Sequence, residues 1–343
     1  EAINRSGSES TLRQGQFQSL NYRKGQRGWK IGDGGDAEFS DLYVSGFIKT
    51  VSVGDSIQSA IDILNANGGG EIRLDTGTHT LTDDLTLYSG ISLVGAGRDA
   101  TILEFSGSAN GINVIGTASA IKKNWQIRDL TVQNSNNTAG IDVDYSDFWK
   151  IENVRVFSCD QKGMRISRSQ SFILTNALSD SNTGNGFEFT ASTTPSVIRF
   201  TVLNCVADSN GGIGFAFISA AGSNTVAQFN VIGCKSISNT GNGFDFANAG
   251  RAYYATLTSC FTNANDIAYN LVGDYICCVG CIAFATAGSG AGFRSSGQNA
   301  FVGCISDGIS YDFQSGATEP NIFVGNLYDK DTGAGVPQTQ ISM

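Results

Sequence analysis

Histidine, proline and positive charge are scarce in this sequence. Its 343 residues include one histidine, three prolines, and 22 lysines and arginines against 31 aspartates and glutamates, which gives a formal net charge of −9. The negative charge argues against nucleic acid as a partner, because phosphate binding requires clustered Lys and Arg. The single histidine, His79, lies in "GTHTL". A catalytic serine, histidine and aspartate therefore cannot be assembled far from that residue.

Long hydrophobic runs are missing as well. The longest apolar run, residues 275–288, is too short to cross a bilayer as a helix. The sequence has no basic amphipathic stretch that would bind a membrane surface. We therefore predict no membrane insertion.

Cysteine, by contrast, recurs at regular positions. Six cysteines and one alanine occupy one point of a degenerate motif, 18 to 29 residues apart: Cys159, Ala177, Cys205, Cys234, Cys260, Cys281 and Cys304. A repeat of this length indicates a solenoid, whose units stack because none can bury its own apolar face. We predict stacked free thiols at one inward corner, in preference to a disulfide framework or a zinc site at Cys278 and Cys281.

A second motif lies between these marks, where "GNGFEF" at 184–189 returns as "GNGFDF" at 241–246. Alternating apolar residues predict strands with one buried face. The phenylalanines should stack inside, and the residue between them should point outward to solvent. The predicted outward column is Asp142, Arg165, Glu188, Ala216, Asp245, Asn270, Arg294 and Asp312.

Both ends of the chain differ from the repeat. Apolar residues at 57, 60, 61 and 64 predict an amphipathic helix over about 55–67, started by a capping box of Asp55 and Gln58, that covers the open end of the solenoid. We expect an attachment segment at 1–50, the solenoid at 51–330 and a tail at 331–343.

Residues 55–105, "DSIQSAIDILNANGGGEIRLDTGTHTLTDDLTLYSGISLVGAGRDATILEF", resemble the entry segment of the pectate-lyase-like superfamily, and the loose repeat continues to about residue 330. The resemblance implies an all-β fold, a single right-handed parallel β-helix of about ten coils. That superfamily includes lyases, glycoside hydrolases, epimerases and non-catalytic phage tail proteins, so the resemblance implies the fold more than the activity.

Upstream, residues 27–48 resemble a short segment of phage tail-tip and tail-fibre proteins. The residues that carry it are Gly28, Trp29, Ile31, Ala37, Phe39, Val44 and Gly46. This resemblance implies a phage tail fibre or tailspike that recognises a bacterial surface polysaccharide. It further implies a homotrimer attached to other tail proteins through the N-terminal segment, assembled in the host cytoplasm and acting outside the cell as part of the virion.

A polysaccharide hydrolase is the main alternative. Glu188 and Asp245 lie two coils apart in the predicted column, which corresponds to about 9 to 10 Å. Their carboxyl groups then approach the separation of roughly 6.5–9.5 Å that an inverting glycosidase uses. A ladder of paired charges explains the same column without catalysis, and a purely structural spacer remains a third possibility.

A lyase is the other enzymatic alternative that the superfamily implies. Asp142 and Asp144 supply carboxylates for calcium, and Arg165 or Lys162 in the next coil would act on the proton next to a uronate. Two carboxylates are fewer than a calcium site usually gathers, so we predict no obligatory cofactor.

Aromatic residues complete the candidates. Tyr145, Phe148 and Trp149 cluster beside Asp142, and Tyr253 and Tyr254 lie in "RAYYA". Aromatic rings beside carboxylates and amides suit sugars, whose apolar faces stack while their hydroxyls form hydrogen bonds. We predict substrate contacts at Tyr145, Trp149, Tyr253, Tyr254 and Asp312.

Overall fold

The chain forms two compact units, Glu1–Phe47 and Ile48–Met343. A computed structural model of the protein describes residues 10–13, 16–19, 29–31, 37–39, 47–136, 138–191, 196–219, 225–284, 290–307, 311–315 and 321–328. The predicted tail at 331–343 and three residues of the tail-fibre resemblance, Gly28, Val44 and Gly46, lie outside the described residues.

The first unit contains four short strands joined in antiparallel order: Ser10–Arg13, Gln16–Ser19, Trp29–Ile31 and Ala37–Phe39. Trp29 pairs with Phe39 in this sheet, and Ile31 pairs with Ala37. Four residues of the tail-fibre resemblance are thus paired strand residues.

The second unit contains all but the first residue of the strand Phe47–Val51 and one helix, Ile57–Ala66, and continues as a parallel β-solenoid of about ten turns. Three faces alternate along the chain, and long strands pass from one face to the next. Face 1 contains Gly70–Leu74, Ile91–Val94, the first part of Gln126–Gln133 and of Lys150–Phe157, Gln170–Thr175, Val197–Leu203, Val226–Ile232, the last part of Phe244–Thr258 and of Tyr269–Val279, Ala300–Val302 and Ile322–Val324.

Faces 2 and 3 complete each turn. Face 2 contains Gly77–Leu81, Thr101–Phe105, the last part of Gln126–Gln133 and of Lys150–Phe157, Leu178–Asp180, Val206–Asp208, Lys235–Ile237, Phe261–Asn263, Ile282–Phe284, Ile305–Asp307 and Leu327–Tyr328. Face 3 contains Leu85–Thr86, Ile112–Ile115, Ala139–Asp144, Lys162–Ser167, Phe187–Ala191, Phe215–Ser219, the first part of Phe244–Thr258 and of Tyr269–Val279, Ala291–Ser295 and Tyr311–Ser315. The short strands Lys122–Lys123 and Ser146–Asp147 pair between faces 3 and 1.

The turn from face 1 to face 2 explains the cysteine repeat. The residue before each mark has φ between 51° and 62°, and it is Ser158, Asn176, Asn204, Gly233, Ser259, Gly280 or Gly303. One left-handed residue redirects the strand, and Gly or Asn tolerates this conformation best. The next residue then points inward, where the predicted buried free thiols are confirmed. The thiols of Cys205, Cys234 and Cys260 lie 3.5–3.7 Å from carbonyl oxygens of the preceding coil.

Aromatic stacks fill the interior, as predicted for the phenylalanines. One stack has centroid separations of 4.6–5.2 Å and contains Phe187, Phe215, Phe244, Tyr269, Phe293 and Phe313. A second, with separations of 4.1–4.8 Å, contains Trp125, Trp149, Phe172, Phe200 and Phe229. Both stacks follow from parallel register, which places equivalent residues of successive coils directly above one another.

The helix covers the N-terminal end of this interior. Ile57, Ala60, Ile61 and Leu64 are buried as predicted. The predicted capping box is wrong, because Ser56 is the N-cap and accepts from the Ser59 amide. Gln58 instead binds the Asp62 carboxylate and the backbone of Thr86. No helix within the described ranges has the length and hydropathy needed to cross a membrane.

Candidate functional site

The outward column of face 3 has the predicted register over most of its length. Asp142 pairs with Arg165, Arg165 with Glu188, and the column continues through Ala216, Asp245, Asn270 and Arg294. Its last member is wrong, because Arg294 pairs with Gln314 and not with Asp312. In the observed register, Gln314, two residues after Asp312, occupies this position of the column. The Asp312 side chain lies outside the described residues.

The acidic members of the column are not solvated, which corrects the expectation of a solvent-facing ladder. Asp142, Glu188 and Asp245 are only 3%, 6% and 6% exposed. Coils about 4.8 Å apart leave little room for water between side chains of the same column. Each carboxylate is therefore covered by its neighbours and must be satisfied by them.

Two arginines satisfy the first two carboxylates. Arg165 donates from Nε and from a terminal nitrogen to the two oxygens of Asp142, both at 2.8 Å. Arg168 binds both oxygens of Asp144 in the same way, with Nε at 2.7 Å, and its guanidinium lies 4.3 Å from the centre of the Tyr145 ring. This forked geometry favours charge-assisted pairing over an open metal site.

Calcium at Asp142 and Asp144 would have to displace both guanidinium groups, since all four carboxylate oxygens accept from arginine. Within the part of the chain that the structure describes, no group of three or more His, Cys, Asp or Glu residues has a metal-binding arrangement. A cation would therefore need ligands from elsewhere, such as saccharide oxygens.

The hydrolase candidates have different partners. Glu188 is bound by Lys162 Nζ at 3.1 Å and by Asn185 at 2.9 Å. Within the described residues, the Asp245 carboxylate accepts only from neutral amides, Asn242 at 3.0 Å and Asn270 at 2.7 Å. Ala216 is the residue between them in the column, so a short side chain separates the two carboxylates.

Burial changes the acidity of this column. It raises the pKa of Asp245 above its usual value, against the opposing hydrogen bonds from Asn242 and Asn270. Burial likewise raises the pKa of Asp142, although the Arg165 guanidinium opposes the shift. A carboxyl group with a raised pKa beside a paired carboxylate is the arrangement that general acid catalysis requires.

The predicted aromatic contacts divide into two groups. Trp149 and Tyr253 are buried in the interior, which corrects their placement at the surface, because their positions alternate inward on face 1. Tyr145 is half-buried beneath Arg168, whereas Tyr254 is 59% exposed. Tyr254 stacks on Tyr275 of the next coil at 5.1 Å, and Tyr275 was not predicted. The signal for Tyr275 is its matching position in "YICC", one coil after "YATL".

The fold agrees with known β-helices. Residues 72–231 match a family model described as "Right handed beta helix region", in agreement with the parallel β-solenoid that the strands form. It is similar to the ORF18 protein of Geobacillus virus E2, with 19% identity, a TM-score of 0.62, and coverage of 79% of this chain and 57% of that one. It thus spans less than two thirds of that viral protein.

Two further solved structures share the fold. The tailspike protein gp49 of the Acinetobacter baumannii bacteriophage Fri1, a capsular polysaccharide depolymerase, is 12% identical with a TM-score of 0.54, over 90% of this chain and 64% of that one. The pectate lyase Pel9A is 16% identical with a TM-score of 0.52, over 88% of this chain and 82% of that one. A search of curated proteins found no matching sequence.

Proposed function

We propose that the protein is a phage tail fibre or tailspike that recognises a bacterial surface polysaccharide. The observation that carries the proposal is a row of cations on face 3. Lys162, Arg165 and Arg168 lie three residues apart, remain 24–29% exposed, and are each held by a buried carboxylate. Arg165 uses two N–H donors on Asp142 and keeps others for a ligand. Rigid donors of this kind suit the carboxylates and hydroxyls of an acidic glycan.

The viral neighbours support this proposal. One is a phage tailspike and another a protein of a Geobacillus virus. Under the proposal, the first unit attaches the protein to other tail proteins, and the β-helix acts outside the cell as part of the virion.

An array of bacterial capsular polysaccharides and lipopolysaccharides tests recognition. The double variant Asp142→Asn with Arg165→Gln removes one ion pair without leaving a buried charge unpaired. We expect its affinity for acidic glycans to fall about tenfold or more, because a hydrogen bond to a charged group contributes roughly 1.5–3 kcal/mol. Lys235→Gln, an exposed lysine on face 2, is the control. Absence of wild-type binding to every glycan would contradict the proposal.

A polysaccharide hydrolase is the alternative that Asp245 favours, since burial raises its pKa and Ala216 separates it from Glu188. Asp245 is then the general acid and Glu188 the base. New reducing ends from a bound polysaccharide, lost in Glu188→Gln, would establish hydrolysis.

Unsaturated products lost in Asp142→Asn would indicate a lyase that uses Asp142 and Arg165, and their loss on chelation would indicate calcium at Asp142 and Asp144. If the protein neither binds nor cleaves any of these polysaccharides, a structural spacer is the remaining function.

A homotrimer is supported by an apolar stripe along the turn between faces 1 and 2. Its outward residues, half-buried or exposed, are Leu203, Ile232, Val279, Val302, Val324, Val206, Phe261, Ile282, Ile305 and Leu327. Thr258 and the exposed Lys235 interrupt this stripe in two adjacent coils. The apolar surface that remains favours a protein interface. Sedimentation should give three times the monomer mass, and Ile282→Asp should reduce it.

A further inference from the structure

A second surface, on face 1, is a shallow depression of about 310 Å³ near the N-terminal end of the solenoid. Its floor consists of Trp125 and Trp149, whose rings stack at 4.8 Å. One wall contains Asn124, Phe148 and Ser171, and the other contains Ser92, Gln126, Lys150 and Ile173. The volume lies at the lower limit of ordinary small-ligand sites, which begin at about 300 Å³.

The first wall presents an aromatic ring to solvent. Asn124, Phe148 and Ser171 occupy the same corner of three successive coils, each with φ near 55°. This left-handed corner fixes the direction of the side chain, so Phe148 is held outward and is 58% exposed. The equivalent residue of the next coil is the small Ser171, so the face of the Phe148 ring on that side has no aromatic neighbour. An open ring face on a rigid sheet is suited to the apolar face of a sugar.

Two side-chain amides beside the ring could bind a ligand. Among the residues that the structure describes, the amides of Asn124 and Gln126 have no side-chain hydrogen-bond partner. The indole Nε1 atoms of Trp125 and Trp149 are buried with the interior stack, so the hydrogen-bonding groups of the depression are the two amides. An oxygen-rich ligand therefore fits this depression better than a hydrocarbon.

Charge decides which sugar fits. The one ionic side chain in the lining, Lys150, is paired with Glu152 at 2.7 Å. The depression thus presents a single paired cation, whereas the row on face 3 presents three cations side by side. We propose that it binds a neutral pyranose unit, stacked on Phe148 and hydrogen-bonded by Asn124 and Gln126. The inference rests on the proposed role in glycan recognition and adds a neutral subsite separate from the acidic one.

Tryptophan fluorescence reports on this site directly, because two of the three tryptophans line it. Neutral hexasaccharides of glucose, galactose, mannose and N-acetylglucosamine serve as probes for the full chain. We expect a saturable change with at least one of them, and Phe148→Ala should weaken it at least tenfold. Gln126→Ala should weaken it less.

Phe157→Ala is the control, since Phe157 is a half-buried aromatic residue on face 2, outside the depression. It should leave the affinity within twofold. Equal losses in the Phe148 and Phe157 variants, no loss in either, or no response to any neutral probe would overturn the inference. If the neutral-subsite inference fails, acidic glycan binding is measured with the same preparations. Binding that is weakened in the Asp142→Asn and Arg165→Gln double variant would show that the proposed function still holds.

Discussion

Buried carboxylates in a parallel ladder differ from ordinary surface acids in how they respond to pH. Asp245 is covered by adjacent coils, and its carboxylate accepts hydrogen bonds from the neutral amides of Asn242 and Asn270. Desolvation therefore dominates, and the pKa of Asp245 rises above 3.8 in the folded protein. The folded state then binds the proton more tightly than the unfolded chain does.

The expected consequence is that ionisation of Asp245 costs stability. Since the folded pKa exceeds the unfolded value, this penalty is absent below pH 3.8 and develops as the pH rises through the folded pKa. Urea unfolding of the wild type and of Asp245→Asn across this range should show the wild type losing stability relative to the variant as pH increases. A difference that stays constant with pH would contradict the prediction.

At this scale the sequence predicted the column but not its environment. Alternation within "FEF" and "FDF" assigns Glu188 and Asp245 to the outward side, because side-chain direction has a period of two. Their burial depends on Lys162, Asn185, Asn242 and Asn270, whose positions in the turns and in the next coil are set by the register. The prediction that Asp312 belongs to the column is wrong for the same reason, since the register at the last coil differs by two residues from the sequence pattern.

At the scale of the elements, a buried asparagine ladder joins the turns between faces 2 and 3. The side-chain amides of Asn182, Asn210 and Asn239 each donate to the side-chain carbonyl of the next asparagine, at 2.8–3.1 Å, and the ladder ends at Asn265. The sequence signal for this ladder is the fixed position of the asparagines five residues after Ala177, Cys205, Cys234 and Cys260.

Asn210→Ala tests the ladder from its middle. Asn210 donates to the Ser179 carbonyl and to Asn239, and accepts from the backbone and side chain of Asn182. Removing it leaves several buried groups unsatisfied, so we expect a loss of about 3 kcal/mol or more in the free energy of unfolding. Asn230→Ala, at an exposed position of face 1, should change it by less than about 0.5 kcal/mol. Similar denaturation midpoints for the two variants would show that the ladder contributes little.

For the whole molecule, the repeat period and the entry segment predicted the solenoid, because stacking requires only that equivalent residues recur at similar steps. Local patterns could not predict the second wall of the face 1 depression. Its residues come from four coils, Ser92, Gln126, Lys150 and Ile173, and meet only through the register. Sites that cross coils are therefore less predictable than the scaffold that carries them.

A solenoid whose coils contact only their neighbours should respond locally to damage at one end. Ile61 is fully buried where the helix covers the first coils, whereas Ile63 of the same helix is 50% exposed. Ile61→Asn places an amide against the apolar end of the interior, so hydrogen exchange should accelerate over residues 70–105 more than over residues 200–260. Ile63→Asn should leave both regions close to wild type. Uniform acceleration along the chain after Ile61→Asn would instead show that the solenoid opens as one cooperative unit, in which the helix stabilises distant coils as strongly as near ones.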